Sequence, residues 1–239
     1  MFYADIDYMH VYRDFTYEKD GNFKNLPQLM ADTKKDNIKW TLILDPAIEY
    51  AEGYEAFTDG YKNEVYMKWP KNVSMNDRHN PSNTPNDKDV AYGKVWPNGP
   101  TAFPDFMKHR TDEWWNRQIL KLHETLPFDG IWIVSGLNLL LKNLNQYFQQ
   151  DMNEPASFVA NCPQNKYDFP PIRMSKELKI LFNRLNLYFL AFTLGTLWGG
   201  RQLSAQTACM ILRQGEHDQY QHYDVHNLYG YSEVISTQK

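Results

Sequence analysis

The chain has 239 residues, enough for one α/β barrel or two small domains, and its 42% hydrophobic content supports a sizeable core. A formal net charge of -4 supplies no basic footprint for nucleic acid. Aromatics reach 15%, with 16 Tyr and 7 Trp. That composition suits either an aromatic-rich core or a site that sets flat apolar faces beside polar groups.

Met1 to Asp7 has neither the charged n-region nor the apolar h-region of an export signal. It reads instead as the end of a strand. Residues 2 to 8 alternate and finish in acids, Asp5 and Asp7, as strands do at the C-terminal rim of a β/α barrel or at any solvated strand end. After a turn at Asp20-Gly21, Pro27 falls where the first turn of a helix accepts proline. Leu26, Leu29, Met30 and Thr33 then mark one helical face before an Asp36-Asn37 stop. Trp40 to Leu44 is a strand closed by Asp45-Pro46, which completes a strand, helix, strand unit of a parallel sheet.

Residues 49 to 110 read as a long loop region with one short strand at Val65 to Trp69. The tract from Asn72 to Asp89 is polar and carries Pro81 and Pro85; loops of this length in barrel enzymes shape the site. Asn72-Val73-Ser74 is a usable glycosylation sequon. Thr111 is the expected cap of a helix running to Leu126, with Trp115, Ile119, Leu122 and Leu126 on its core face. Gly130 to Ile133 is a further strand. Two later stretches are foreign to their flanks. One is 134–150, with Leu137, Leu140, Leu141, Leu144, Tyr147 and Phe148 at helical spacing. The other is 174–199, whose longest clean apolar run, Leu187 to Leu194, is too short for a bilayer core of about 30 Å. Asp224 to Gln238 reads as a surface helix packed on the rest. Cys162 and Cys209 admit a single disulfide in an oxidising compartment.

Several tracts carry chemistry as a set. In chain order they are Asp5-Ile6-Asp7-Tyr8-Met9, Arg13-Asp14-Phe15, Leu44-Asp45-Pro46-Ala47-Ile48, Gly93-Lys94-Val95-Trp96-Pro97 and Phe103-Pro104-Asp105-Phe106. Then come Phe128-Asp129-Gly130-Ile131-Trp132-Ile133 and, after seventeen residues, Asp151-Met152-Asn153-Glu154-Pro155, with His226-Asn227-Leu228-Tyr229-Gly230 last. This order resembles family 31 of the glycoside hydrolases, in the manner of its lysosomal and intestinal maltase branch.

The resemblance implies an α/β fold: a partial (β/α)8 TIM-barrel fragment with long loops and helices, spanning residues 1–239, with 134–150 and 174–199 as atypical inserts. It implies a retaining exo-α-glucosidase that releases glucose from terminal α-1,4-linked oligosaccharides. Asp151 looks like the nucleophile, and Asp5 like the carboxylate that binds hydroxyls of the terminal glucose. Trp96, Trp132 and Met152 look like walls of that sugar pocket, with Ile43 beside them. Cys162 and Cys209 look like the pair that staples the loop after the nucleophile. The implied partner is an oligosaccharide, with no cofactor, metal, nucleic acid or membrane span, and the implied location is the secretory pathway, lysosome or exterior.

A retaining glycosidase needs two carboxyl groups about 5–5.5 Å apart. The family takes its acid/base from a strand that follows the His226 to Gly230 tract, while this chain matches only the end of the second strand, the third and the fourth. The isolated chain is therefore expected to be inactive, and the alternative reading is an inactive truncated product that keeps a sugar-binding surface. Val134-Ser135 can be encoded by GTAAGT, a splice-donor sequence, so the first insert reads as a translated intron, with 174–199 a second candidate; a spliced transcript retaining both would sink that idea. The first insert is expected to loop outward, leaving Asp151 beside Ile133 and facing a common pocket with Asp5 and Trp96.

Overall fold

The computed structural model describes residues 1–78, 80–81, 83–85, 87–93, 95–133, 162–163, 165–167 and 208–239. Both foreign stretches, and Asp151 and Met152, lie outside them.

The organising element is a parallel sheet of three strands: β1 (Phe2–Ala4), β2 (Trp40–Leu44) and β6 (Gly130–Ile133), in the order β1-β2-β6. All five residues of β2 are buried. A strand covered on both faces is an unbroken apolar run, as Trp40-Thr41-Leu42-Ile43-Leu44 nearly is. The crossover from β1 to β2 is α1 (Leu26–Lys35), which buries Leu26 and Met30 and carries Pro27 in its first turn. It stops at Asp36, and Asn37 follows in the left-handed region at φ 60°. Trp40 Nε1 donates to Thr33 Oγ1 at 2.9 Å, which pins the strand to that helix.

The crossover from β2 to β6 ends in α3 (His109–Thr125). Trp115, Ile119 and Leu122 are buried on its core face, as is Leu126 just past its end. Burying a side chain of this size stabilises by about 1.5–3 kcal/mol. Asp129 then ties the starts of two strands together: it accepts from Trp40 N at 3.1 Å and pairs with Lys39 at 2.9 Å. Helix α5 (Tyr229–Thr237) packs on α3, where Asn116 Nδ2 donates to Ser236 O and Trp115 Nε1 to Thr237 Oγ1.

Three expectations need correction. The first strand is shorter than residues 2 to 8. It ends at Ala4 because the Asp5 carboxylate accepts from Ile6 N at 2.7 Å and caps a 3-10 turn, Ile6–Tyr8, that swings Tyr8 into the core. Residues 49 to 110 are not a loop region. They contain α2 (Glu55–Lys62) and an antiparallel sheet of β3 (Ile48–Glu49), β4 (Tyr92–Gly93) and β5 (Thr101–Ala102), in the order β3-β5-β4. Phe57 stacks on Tyr61 and Tyr66, so aromatic packing supports a helix that Gly60 disfavours. Finally, Thr111 does not cap α3. Lys108 takes that place, while Thr111 is buried in the first turn and donates to Val65 O.

Cys162 and Cys209 form a disulfide with Cα atoms 5.5 Å apart. Closing a loop of that separation, 47 residues, stabilises by about 4 kcal/mol in the chain-entropy model. Among the described residues no helix is long and apolar enough to cross a membrane.

The C-terminal part is locked to the rest by buried polar groups. Asp105 is 0% exposed and Lys108 2%. Asp105 pairs with Lys108 at 3.3 Å and accepts from Gly215 N at 2.8 Å, next to the β-ribbon of β7 (Arg213–Gln214) and β8 (Tyr220–Gln221). The short helix α4 (His222–Val225) follows, and His222 is buried with Nδ1 2.7 Å from Gln214 Oε1.

Burial, with His226 adding to it, lowers the His222 pKa to about 3. The folded ring is therefore neutral while the unfolded one titrates near 6.5. Its contribution is fully present above pH 6.5 and is lost as pH falls. We expect a loss of about 2 kcal/mol between pH 6.5 and pH 5. Burial raises the pKa of Asp14 and of Asp105, so those two groups act in the opposite sense. Urea unfolding at pH 6.5 and 5 for the chain and for His222→Gln separates the terms. The variant should be the flatter, and equal slopes would exclude His222 as the cause.

Candidate active site

The parallel strands align their C-terminal ends on one rim, and the register decides what that rim presents. Ala4 pairs with Leu42 and Leu42 with Ile131; one step on, Ile43 pairs with Trp132. Asp5 follows Ala4 with an extended backbone, φ -81° and ψ 178°, so extending that register by one residue sets it opposite Ile43. Side chains alternate across a strand and in-register neighbours share a face, so Asp5, Ile43 and Trp132 form one row on one face. Tyr3, two residues before Asp5, belongs to the same face.

That face is open at its edges. Trp132 is 36% exposed and Tyr3 63%, and their rings meet edge-on at 6.4 Å. Trp132 is thus not a core tryptophan. Ile43 is buried between them, a flat floor in the middle of the row. The Asp5 carboxylate is exposed and, among the described residues, accepts from its neighbouring backbone N–H, so it has lone pairs left for further donors.

Trp96 arrives from another element. It sits in the connection between β4 and β5, whose strands are two residues long. This hairpin is bound to β3, where Tyr50 N donates to Pro100 O at 2.7 Å. Behind the rim, Tyr8 OH donates to Ile43 O at 2.8 Å, and Asp14 Oδ1 accepts from Asp45 N at 3.0 Å. These bonds fix the end of β2 from below. Burial raises the Asp14 pKa, and the neighbouring Asp45 adds to the rise.

The structure therefore pairs Ile43 with Trp132, sets Asp5 at the end of the adjoining strand and holds Trp96 on a braced hairpin; Cys162 and Cys209 are bonded to each other. Asp151 and Met152 are not among the described residues. Tyr3 was missed in the sequence, although strand alternation from Asp5 points to it. Glu49 was missed as well, because nothing local shows that it reaches across to Arg13 and Gly99. Chemically, an exposed carboxylate and an exposed indole on one rim offer hydroxyl acceptors and an apolar plate, the pair of surfaces that a pyranose presents in complement. Among the described residues no group of His, Cys, Asp and Glu could hold a metal ion.

Comparison with known proteins agrees in kind. The profile of the glycosyl hydrolases family 31 TIM-barrel domain matches residues 1–239. The chain belongs to glycoside hydrolase family 31. Within it, intestinal sucrase-isomaltase of Oryctolagus cuniculus is 33% identical over 98% of this chain and 12% of its own length. Lysosomal alpha-glucosidase of Rattus norvegicus is 30% identical over 98% of this chain and 19% of its own. The chain thus spans less than a fifth of these relatives.

The fold agrees too. The alpha-1,4-glucan lyase of Gracilariopsis lemaneiformis superposes with a TM-score of 0.60 at 14% identity, over 98% of this chain and 21% of that one. A glucosidase II alpha subunit gives a TM-score of 0.57 at 17% identity, over 98% of this chain and 17% of that one. The three parallel strands β1, β2 and β6 are thus part of a family 31 barrel.

Proposed function

We propose that this chain carries part of the substrate-binding half of a retaining exo-α-glucosidase that removes glucose from terminal α-1,4-linked oligosaccharides. Asp151 is the nucleophile in this reading. It attacks the anomeric carbon and forms a glycosyl ester while a second carboxyl protonates the leaving oxygen; water then hydrolyses the ester. Asp5 accepts hydroxyl protons of the terminal glucose. Trp132 and Trp96 wall the pocket with Met152, and Ile43 forms its floor. The acid/base comes from a strand that the family carries after the His226 to Gly230 tract. Residues 134–150 and 174–199 are inserts in the family's barrel.

The observation that supports this reading is the single row of Asp5, Ile43 and Trp132 at the C-terminal rim, where barrel enzymes carry their chemistry. Titration of the chain with maltose, followed by NMR, tests it. Asp5→Asn should weaken binding by about 10–100-fold, since hydrogen bonds to a charged acceptor are worth about 1.5–3 kcal/mol. Unchanged affinity in that variant, or no binding by the unaltered chain, would count against the assignment.

A further inference from the structure

The Trp96 hairpin is braced by a carboxylate that the reaction itself does not use. Glu49, on β3, is 5% exposed and lies opposite Thr101 of β5. One of its oxygens accepts from Gly99 N and the other pairs with Arg13 Nε. Gly99 is three residues past Trp96 in the same turn. A Cβ at Gly99 would stand 2.5 Å from Glu49 Oε1, so a larger residue there would push the carboxylate aside.

Arg13 belongs to the loop that leaves the rim after Asp5. Its guanidinium lies over the Tyr54 ring, 5.7 Å from the centroid. The two residues before Arg13 sit in the left-handed region, Val11 at φ 47° and Tyr12 at φ 61°. That conformation is costly for a β-branched residue and persists only where contacts enforce it. Arg13 N bonding to His10 O and Arg13 pairing with Glu49 are two such contacts.

Glu49 therefore holds two segments at once: the loop that follows Asp5, and the turn that carries Trp96. We propose that Glu49 is a positioning residue, which sets the spacing between Asp5 and Trp96 and so the width of the sugar pocket. The proposal rests on the glucosidase reading for the identity of the pocket, but not for the brace itself.

The test uses the full chain labelled with 5-fluorotryptophan, with the Trp96 signal assigned by Trp96→Phe. Glu49→Ala should shift the Trp96 fluorine resonance and speed amide exchange at Gly99 at least about 10-fold, leaving the Trp114 and Trp115 resonances in place. Glu49→Gln keeps an acceptor for Gly99 N–H and should restore its protection. Maltose binding should weaken about 10-fold in Glu49→Ala and recover in part in Glu49→Gln. An unmoved Trp96 signal with intact Gly99 protection in Glu49→Ala would overturn the proposal, as would a shift shared by Trp114 and Trp115. Absence of maltose binding by the unaltered chain would overturn the glucosidase reading instead, and the fluorine and exchange results still decide the brace.

Discussion

Replacing Asp105 with alanine is expected to destabilise the fold by about 3–5 kcal/mol, the cost of stranding a buried charge. Asp105 is fully buried and holds Lys108, Gly215 N, Met107 N and Gln214. Burial raises its pKa, and the Lys108 ammonium opposes that rise. Without the carboxylate, Lys108 keeps only Asp218 at 3.4 Å among its described ion pairs. Asp105→Asn preserves an acceptor and should cost less. Asp105→Leu combined with Lys108→Met should recover much of the loss, because the unpaired charge goes with its partner. Urea midpoints for the four proteins check this. A loss below about 1 kcal/mol in Asp105→Ala would show that the pair is not the lock between the Phe103 to Lys108 segment and the β7-β8 ribbon.

A polypeptide of these 239 residues is expected to release no measurable glucose from maltose. The leaving alcohol of maltose needs a proton in the transition state, and general acid help is worth about 10²–10⁴-fold. The described rim offers one carboxylate, Asp5, which the proposed reading assigns to the hydroxyls of the terminal glucose and not to the leaving oxygen. Position adds to the deficit: a shift of about 1 Å in a catalytic group can cost 10²-fold. In this sequence seventeen residues part Ile133 from Asp151. A coupled glucose assay decides it. Release that disappears in Asp151→Ala would show that the chain supplies both carboxyls itself.

How much of this was legible follows from where the signals lie. β2, α1 and the core face of α3 were readable because each repeats an apolar pattern over several turns or a whole strand. α2 was hidden: Gly60 lowers its helix propensity, and what holds the helix is aromatic contact from Tyr66. The β3-β5-β4 sheet was hidden because strands of two residues have no period to read. The Asp105 to Gly215 bond joins residues 110 apart and has no local trace. In the site, the residue types of Asp5, Trp96 and Trp132 were visible as tracts, whereas the row that unites Asp5 with Trp132 depends on register, which a single strand does not encode. Glu49 was invisible for the same reason: its two partners lie 36 and 50 residues away.

The measurement that bears most directly on the glucosidase reading is covalent trapping with 5-fluoro-α-D-glucosyl fluoride. Fluoride departs without a proton, so attack by the nucleophile does not require the acid/base. The new bond joins a carboxylate oxygen to the anomeric carbon, and the carbon–fluorine bond breaks to release fluoride. Peptide mapping by mass spectrometry should find one glycosyl ester, on Asp151. It should form slowly, compete with maltose, and be absent from Asp151→Ala. An ester on Asp5 or any other carboxylate, or none at saturating reagent, would contradict the account.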